Sequence, residues 1–128
     1  EPDPELGWEV TMLYDEPVFP LTMQLVAWAP GVTSPIHNHA TWGVVALLSG
    51  QGKNTFWQRS PKAEFPDQIA PTGEHIITPG DIICFLPDAI HQIKEIADQP
   101  TISFNLYGET HYDQRFEFDL NQRTAKNF

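Results

Sequence analysis

Gly31-Val32-Thr33-Ser34-Pro35-Ile36-His37-Asn38-His39 and, further on, Gly80-Asp81-Ile82-Ile83-Cys84-Phe85-Leu86-Pro87-Asp88-Ala89-Ile90-His91 are the stretches on which the reading of this chain turns. Side chains alternate along a strand, so His37 and His39 project from one face while Asn38 faces the other way. His91 follows a Pro-Gly-Asp turn and must arrive from another strand. Three imidazoles on one side of a metal ion leave its remaining positions open. An H-x-H pair alone is weak evidence, because a shuffled chain with this histidine content would contain one roughly one time in five. The alternative for the pair is two half-buried histidines bonded to backbone or water.

The remaining composition bounds the class of protein. A chain of 128 residues is one domain's worth and buries roughly two-thirds of its unfolded surface, enough for a single core. The 41% hydrophobic and 12% aromatic content separates it from disordered chains. A net charge of −10 is opposite in sign to the basic stripe of nucleic-acid binders, which argues against that class. Cys84 is the single cysteine, so no internal disulfide forms, and a reducing, cytoplasmic setting is expected. The longest purely apolar run, 44–48, is far too short to span a membrane, and no secretory signal is visible. The chain begins Glu1-Pro2-Asp3-Pro4 rather than with Met, which leaves room for a preceding segment.

Twelve prolines and eight glycines are spread along the chain, so turns are frequent. Between them lie strand-like runs at 8–14, 22–29, 43–48, 53–58, 75–78, 82–86, 90–96, 101–107 and 116–120, rich in β-branched and aromatic residues. No window shows helical periodicity, and the pattern predicts an all-β sandwich or barrel with little or no helix. Ser49-Gly50-Gln51-Gly52 and Thr78-Pro79-Gly80-Asp81 both read as hairpin turns. The polar, proline-containing stretch 59–73 reads as a surface loop between two halves.

At this point the sequence resembles the cupin superfamily. Gly31, His37, His39 and Gly50 match that family's first motif, and Gly80 and His91 its second, with Pro87 one place late and Ala89 where the second glycine falls. The resemblance implies a double-stranded β-helix (jelly-roll), with a single domain over 1–128, a metal-binding barrel at about 22–107 and a C-terminal tail at 108–128. The glutamate of the first motif is missing, since its place falls at Gly43 or Val44. Three neutral imidazoles leave a divalent ion its full charge, which favours anionic ligands such as a thiolate.

That arrangement is similar to the thiol dioxygenases, the cysteine dioxygenase family and its bacterial mercaptopropionate-oxidising relatives. The stretch from His39 through Trp42-Gly43 to Gly50 resembles the bacterial form, in which Gly43 takes the place of a cysteine. Ile102-Ser103-Phe104-Asn105-Leu106-Tyr107-Gly108 resembles the family's Ser-x-His-x-Tyr strand, and 118–124 its C-terminal region. The resemblance implies Fe(II) held by His37, His39 and His91, with nickel or zinc as substitutes. It places Tyr107, Ser103 and Asn105 beside the reacting molecules. Asn105 stands where the family has histidine, and its amide can link hydroxyls but cannot exchange a proton. The family's early arginine or glutamine has no match in Val10-Thr11-Met12, which argues against L-cysteine as substrate. Arg115 is the candidate to reach the pocket instead, with a solvated surface position as the alternative. Trp42 is a candidate pocket wall, Cys84 is expected to be an inert buried thiol, and His75 and His111 are expected at the surface.

The function so implied is addition of O₂ to the sulfur of a small thiol, giving a sulfinate. The expected partners are that thiol and O₂, with no nucleic acid or membrane, and with a homo-oligomer left open. Two other readings stay open: a non-catalytic cupin that binds a metal or small ligand as a sensor or accessory protein, and a zinc-dependent hydrolytic or isomerising site.

Overall fold

A computed structural model describes residues 7–15 and 21–128. Eleven strands are present among them: β1 (Trp8–Asp15), β2 (Thr22–Trp28), β3 (Ile36–Asn38), β4 (Gly43–Ser49), β5 (Gly52–Arg59), β6 (Ile69–Ile77), β7 (Ile82–Phe85), β8 (Ile90–Glu95), β9 (Thr101–Tyr107), β10 (Phe116–Asp119) and β11 (Thr124–Asn127). One 3₁₀ turn, Tyr112–Gln114, is the only helical element among the described residues. The strands form two antiparallel sheets, ordered β1-β2-β9-β4-β7 and β11-β10-β3-β8-β5-β6. No helix among the described residues is long and apolar enough to cross a membrane.

Strand-forming residues dictate most of these elements, but sheet membership corrects three expectations. Gly50 and Gly80 both take positive φ (84° and 95°), as tight turns require. Neither turn closes a hairpin within one sheet. The first carries the chain from β4 in one sheet to β5 in the other, and the second carries it back from β6 to β7. Sequence shows a reversal at such glycines but not which sheet the next strand joins. The stretch 59–73 is a loop only over 60–68, because β6 begins at Ile69 and pairs with β5. β6 is an edge strand, where Pro71 costs no ladder hydrogen bond. Residues beyond Tyr107 are not a tail outside the barrel: β10 pairs with β3, placing Phe118 opposite Ile36 and Glu117 opposite His37.

The two faces of the second sheet bury different chemistry. Ile36, Ile69, Ile90 and Phe118 form an apolar cluster on its outer face, flanked by Trp57, Phe116 and Ala125. The Arg59 guanidinium lies 5.6 and 5.2 Å from the Phe116 and Phe118 rings and also pairs with Asp67 at 3.1 Å. The interior between the sheets is richer in polar groups, with His37, His91, Asn54, Ser103, Asn105, Thr101 and Glu95 all buried.

Glu95 closes the end of the barrel away from the histidines. It is only 2% exposed, and its Oε2 has no hydrogen-bond partner among the described residues. Burial raises its pKa from 4.5 to about 7, partly offset by a hydrogen bond from Thr101. Thr101 Oγ1 also accepts the Gln51 N–H at 3.2 Å, tying the Gly50 turn to β9. The folded state binds the Glu95 proton more tightly than the unfolded chain, so its contribution is full below pH 4.5 and is lost as pH rises through 7. Melting temperature is therefore expected to fall between pH 6 and 8 in the wild type. In Glu95→Gln, which cannot ionise, this decline should largely disappear; an unchanged decline in the variant would remove Glu95 as its cause.

Candidate metal centre

Cross-strand register assembles the three histidines. His37 on β3 and His91 on β8 are directly opposed Cα partners, and His39 lies just beyond the end of β3 on the same face as His37. The Nε2 atoms of His37 and His39 stand 3.3 Å apart, and those of His39 and His91 3.1 Å apart. Nitrogens sharing one ion at about 2.0–2.1 Å, with angles of about 90–110°, stand about 2.9–3.4 Å apart. Two of the three pairs meet that spacing, and all three ligand atoms lie within 4.8 Å of one another, a cluster consistent with metal binding. It is also the one group of three or more histidine, cysteine or carboxylate side chains with metal-ligand spacing among the described residues.

Outer partners fix which nitrogen is offered. His37 Nδ1 lies 2.8 Å from the Pro35 carbonyl and His91 Nδ1 lies 3.2 Å from Asn54 Oδ1. Each Nδ1–H donates to an oxygen, so each Nε2 presents its lone pair. His39 is oriented by its rings instead: Tyr107 stacks on it with centroids 4.8 Å apart, and Phe85 stands on another side at 6.0 Å. Burial lowers the pKa of His37 to about 4. Burial, with the positive charge of His37 and Arg115, lowers His39 to about 3. Burial likewise holds His91 well below 6.5. All three are neutral at pH 7, the state a metal requires.

The absent carboxylate has a steric reason. Gly43 is the cross-strand partner of Tyr107, and a Cβ built there would stand 2.9 Å from both Cδ1 and Cε1 of the tyrosine ring. A glutamate at 43 and Tyr107 stacked on His39 cannot coexist in this arrangement.

A cavity of about 150 Å³ adjoins the histidines. Ser103, Asn105 and Tyr107 all line it, as the alternation along β9 predicts, and so does Arg115. Asn105 Nδ2 donates to Tyr107 Oη at 3.2 Å, leaving the phenolic proton free to point elsewhere. Burial pushes the Tyr107 pKa up to about 12, so the hydroxyl remains a donor at neutral pH. Asn105 Oδ1 and Arg115 Nε are buried with no hydrogen-bond partner among the described residues. Two sequence expectations fail here. Trp42 does not line this cavity; it is 42% exposed and packs over Gly108. Cys84 is exposed rather than buried, because β7 turns Phe85 inward and Cys84 outward. His75 and His111 are exposed, as expected.

Three contributors escaped the sequence reading. Gln24 lines the cavity from β2 and is the cross-strand partner of Met12, so a glutamine faces the site one strand away from Val10-Thr11-Met12. Phe128 packs its ring against His37 at 5.1 Å and under the Arg115 guanidinium at 4.5 Å. Asn38, between the two histidines but facing outward, brackets Arg115. Its Nδ2 donates to the Gln114 carbonyl at 2.9 Å, and its Oδ1 accepts the Phe116 N–H at 2.7 Å. The alternation that separates Asn38 from the histidines was readable, but its partners 76 and 78 positions away were not.

No sequence-family description matches the chain. Several solved structures of similar shape are described as cupins. A RmlC-like cupin from Shewanella frigidimarina superposes with a TM-score of 0.63 at 15% identity, over 88% of this chain and 85% of that one. A cupin superfamily protein from Desulfitobacterium hafniense gives 0.61 at 13% identity, over 80% and 77%. A recombinant oxalate oxidase bound to glycolate gives 0.58 at 13% identity, over 81% of this chain and 52% of that one. The fold is thus a cupin barrel, with a three-histidine cluster consistent with metal binding.

Replacing His37, His39 or His91 singly by alanine is expected to weaken metal binding at least about 100-fold, read by calorimetric titration of metal-free protein. His75→Ala should leave it unchanged. Equal affinity in all four variants would show that the metal binds elsewhere.

Proposed function

We propose that the protein is an Fe(II)-dependent dioxygenase that converts a small thiol bearing an anionic group into its sulfinate. The observation that carries the reading is the pairing of three neutral imidazoles, without a carboxylate, with a tyrosine stacked on His39 in the space that Gly43 leaves open. When bound by His37, His39 and His91, the metal supplies a Lewis-acidic redox centre at which a thiolate and O₂ can meet. The overall change, RSH + O₂ → RSO₂H, is balanced: sulfur loses four electrons, both oxygen atoms end on it, and no external reductant is needed.

The chain's own residues select and hold the substrate. Arg115 brings a positive charge to a cavity whose histidines are neutral, and Gln24 adds a neutral amide on the same wall. A carboxylate or sulfonate accepts well from a guanidinium. The apolar rings of Trp8, Trp28 and Phe128 exclude water around it, and the cavity volume restricts the thiol to a few heavy atoms beyond sulfur. Tyr107, held protonated, donates a hydrogen bond towards the reacting atoms, and Asn105 orients it. Asn38 sets where Arg115 stands relative to the ligand strand. A reducing, cytoplasmic setting suits both an exposed Cys84 and a thiol substrate.

One feature favours binding without turnover: Asn105, whose amide cannot carry a proton to or from Tyr107. The same experiment separates the two readings. Protein loaded anaerobically with Fe(II) and offered small thiols is expected to consume one O₂ per thiol and release sulfinate, read by oxygen electrode and mass spectrometry. Metal and thiol binding with no oxygen uptake would leave the binding role.

Arg115→Gln is expected to raise KM for 3-mercaptopropionate or a similar anionic thiol about 10- to 100-fold, while changing that for uncharged 2-mercaptoethanol little. Asn38→Ala should reproduce that selective KM loss in milder form with metal affinity retained. Equal losses for both thiols would show that neither residue acts through the anionic group.

A further inference from the structure

We infer that Glu95 is a positioning residue for the metal ligand His91, joined to it through Asn54 and one buried water; the link serves any metal held by the three histidines, whatever the substrate. Asn54 is 1% exposed, and its two amide atoms have different fates. Its Oδ1 accepts the His91 Nδ1–H at 3.2 Å, while its Nδ2 has no partner among the described residues. Glu95 carries the complementary orphan, since Oε2 is a buried acceptor without a donor among the described residues. A buried donor and a buried acceptor, each unpaired, cost the fold their full desolvation. One water that accepts from Nδ2 and donates to Oε2 relieves both.

Register puts the two orphans within reach of a single water. On β8, His91 lies opposite Phe56 and Glu95 opposite Gly52. Asn54 stands between those two positions on β5, and alternation gives it the same inward face. The Glu95 carboxyl leans across to β5: a Cβ built on Gly52 would stand 3.6 Å from both of its oxygens. Same-face neighbours such as 52 and 54 are about 7 Å apart along a strand. Two hydrogen bonds meeting at a water reach about 5–6 Å, which suits groups seated over such neighbours. Thr101 donates to the Glu95 carboxyl, and its Oγ1 accepts the Gln51 N–H, which holds the carboxyl against the Gly50 turn.

The linked groups pass the charge state of Glu95 to the metal-facing nitrogen. An ionised carboxylate draws the water's proton, the water polarises the Asn54 amide, and Oδ1 becomes a stronger acceptor for His91 Nδ1–H. The imidazole then offers a more basic Nε2. Burial brings the Glu95 pKa to about 7, so this setting changes near neutral pH. The described segments packed on Glu95 present Gly31, Val32, Gly52 and Thr101, none of them titratable. Lys53 and Lys94, next to these positions on β5 and β8, alternate to the outer face, where Lys53 pairs with Glu74 at 3.6 Å. His75, exposed on β6, is the cross-strand partner of Asn54 and the neighbour able to mimic a pH response. His37, His39 and His91 stay neutral above pH 6, because burial lowers all three.

Histidine-ring NMR of the metal-free protein tests the link without metal or thiol. In the wild type, the His91 nitrogen resonances are expected to shift between pH 6 and 8, with a midpoint near 7. The shift should vanish in Glu95→Gln, which keeps the shape but cannot ionise, and in Asn54→Leu, which removes the link. It should survive in His75→Ala. With Co(II) as the probe metal, wild-type affinity should rise about 10-fold from pH 6 to 8. Glu95→Gln should match the wild type at pH 6 and show no rise. Circular dichroism checks that Asn54→Leu folds; if it does not, Glu95→Gln and His75→Ala decide. His91 resonances that stay flat from pH 6 to 8, a shift that persists in Glu95→Gln or in folded Asn54→Leu, a shift lost with His75, or an undiminished rise in Co(II) affinity in Glu95→Gln would each overturn the proposal.

Discussion

Everything at the candidate site depends on one register, the pairing of β3 with β8 that sets His37 opposite His91. Strand side chains repeat every two residues, so a slip of one would turn the imidazole of the slipped strand out of the barrel and away from its partner. The slip is opposed on the other face of the same strands. There Ile36 and Ile90 are locked into a cluster with Phe118 and Ile69, and Asn38 is bonded on both sides of Arg115. The apolar outer cluster thus holds the polar inner one in place. Burying three imidazoles together, with His39 within hydrogen-bond distance of both His37 and His91, is costly unless something satisfies their lone pairs. The fixed Nδ1 partners of His37 and His91 leave a shared cation as the natural solution.

A second constraint runs across the other sheet. Gly43 and Tyr107 face each other on β4 and β9, and the tyrosine ring occupies the space where a side chain at 43 would begin. The loss of a carboxylate and the gain of a tyrosine over His39 are therefore one structural event. Its electrostatic consequence is a site whose fixed charge is positive: neutral histidines, a protonated tyrosine and Arg115. Polar atoms left unsatisfied at Asn105 and Arg115 lie where a small bound molecule can reach them.

How much of this was legible follows from the range of each signal. Alternation, β-branched composition and turn glycines are local, so the strands on either side of the barrel, the shared face of His37 and His39, and the common face of Ser103, Asn105 and Tyr107 could be read directly. The turn at Gly50 was visible as a reversal, but its crossing between sheets was not, because local φ does not specify the next strand's partner. Residues 69–73 were hidden by Pro71 and Gly73, which deny a central strand yet are harmless on an edge. Trp42 and Cys84 were misplaced for a related reason. Neighbouring residues in a strand go to opposite sides, and only the position of the core says which side is inward.

By itself, the sequence determined an all-β chain with three histidines spaced as a metal-binding cupin spaces them, and no carboxylate to join them. Those properties rest on residue identity and on periodicities of a few residues. Tertiary structure alone decided that Gln24, Arg115 and Phe128 share the cavity, that Asn38 clamps the arginine, and that Asn54 stands between His91 and Glu95. Each of these joins residues from strands far apart in the chain, and the pairing that joins them is a property of the closed barrel, not of any segment within it.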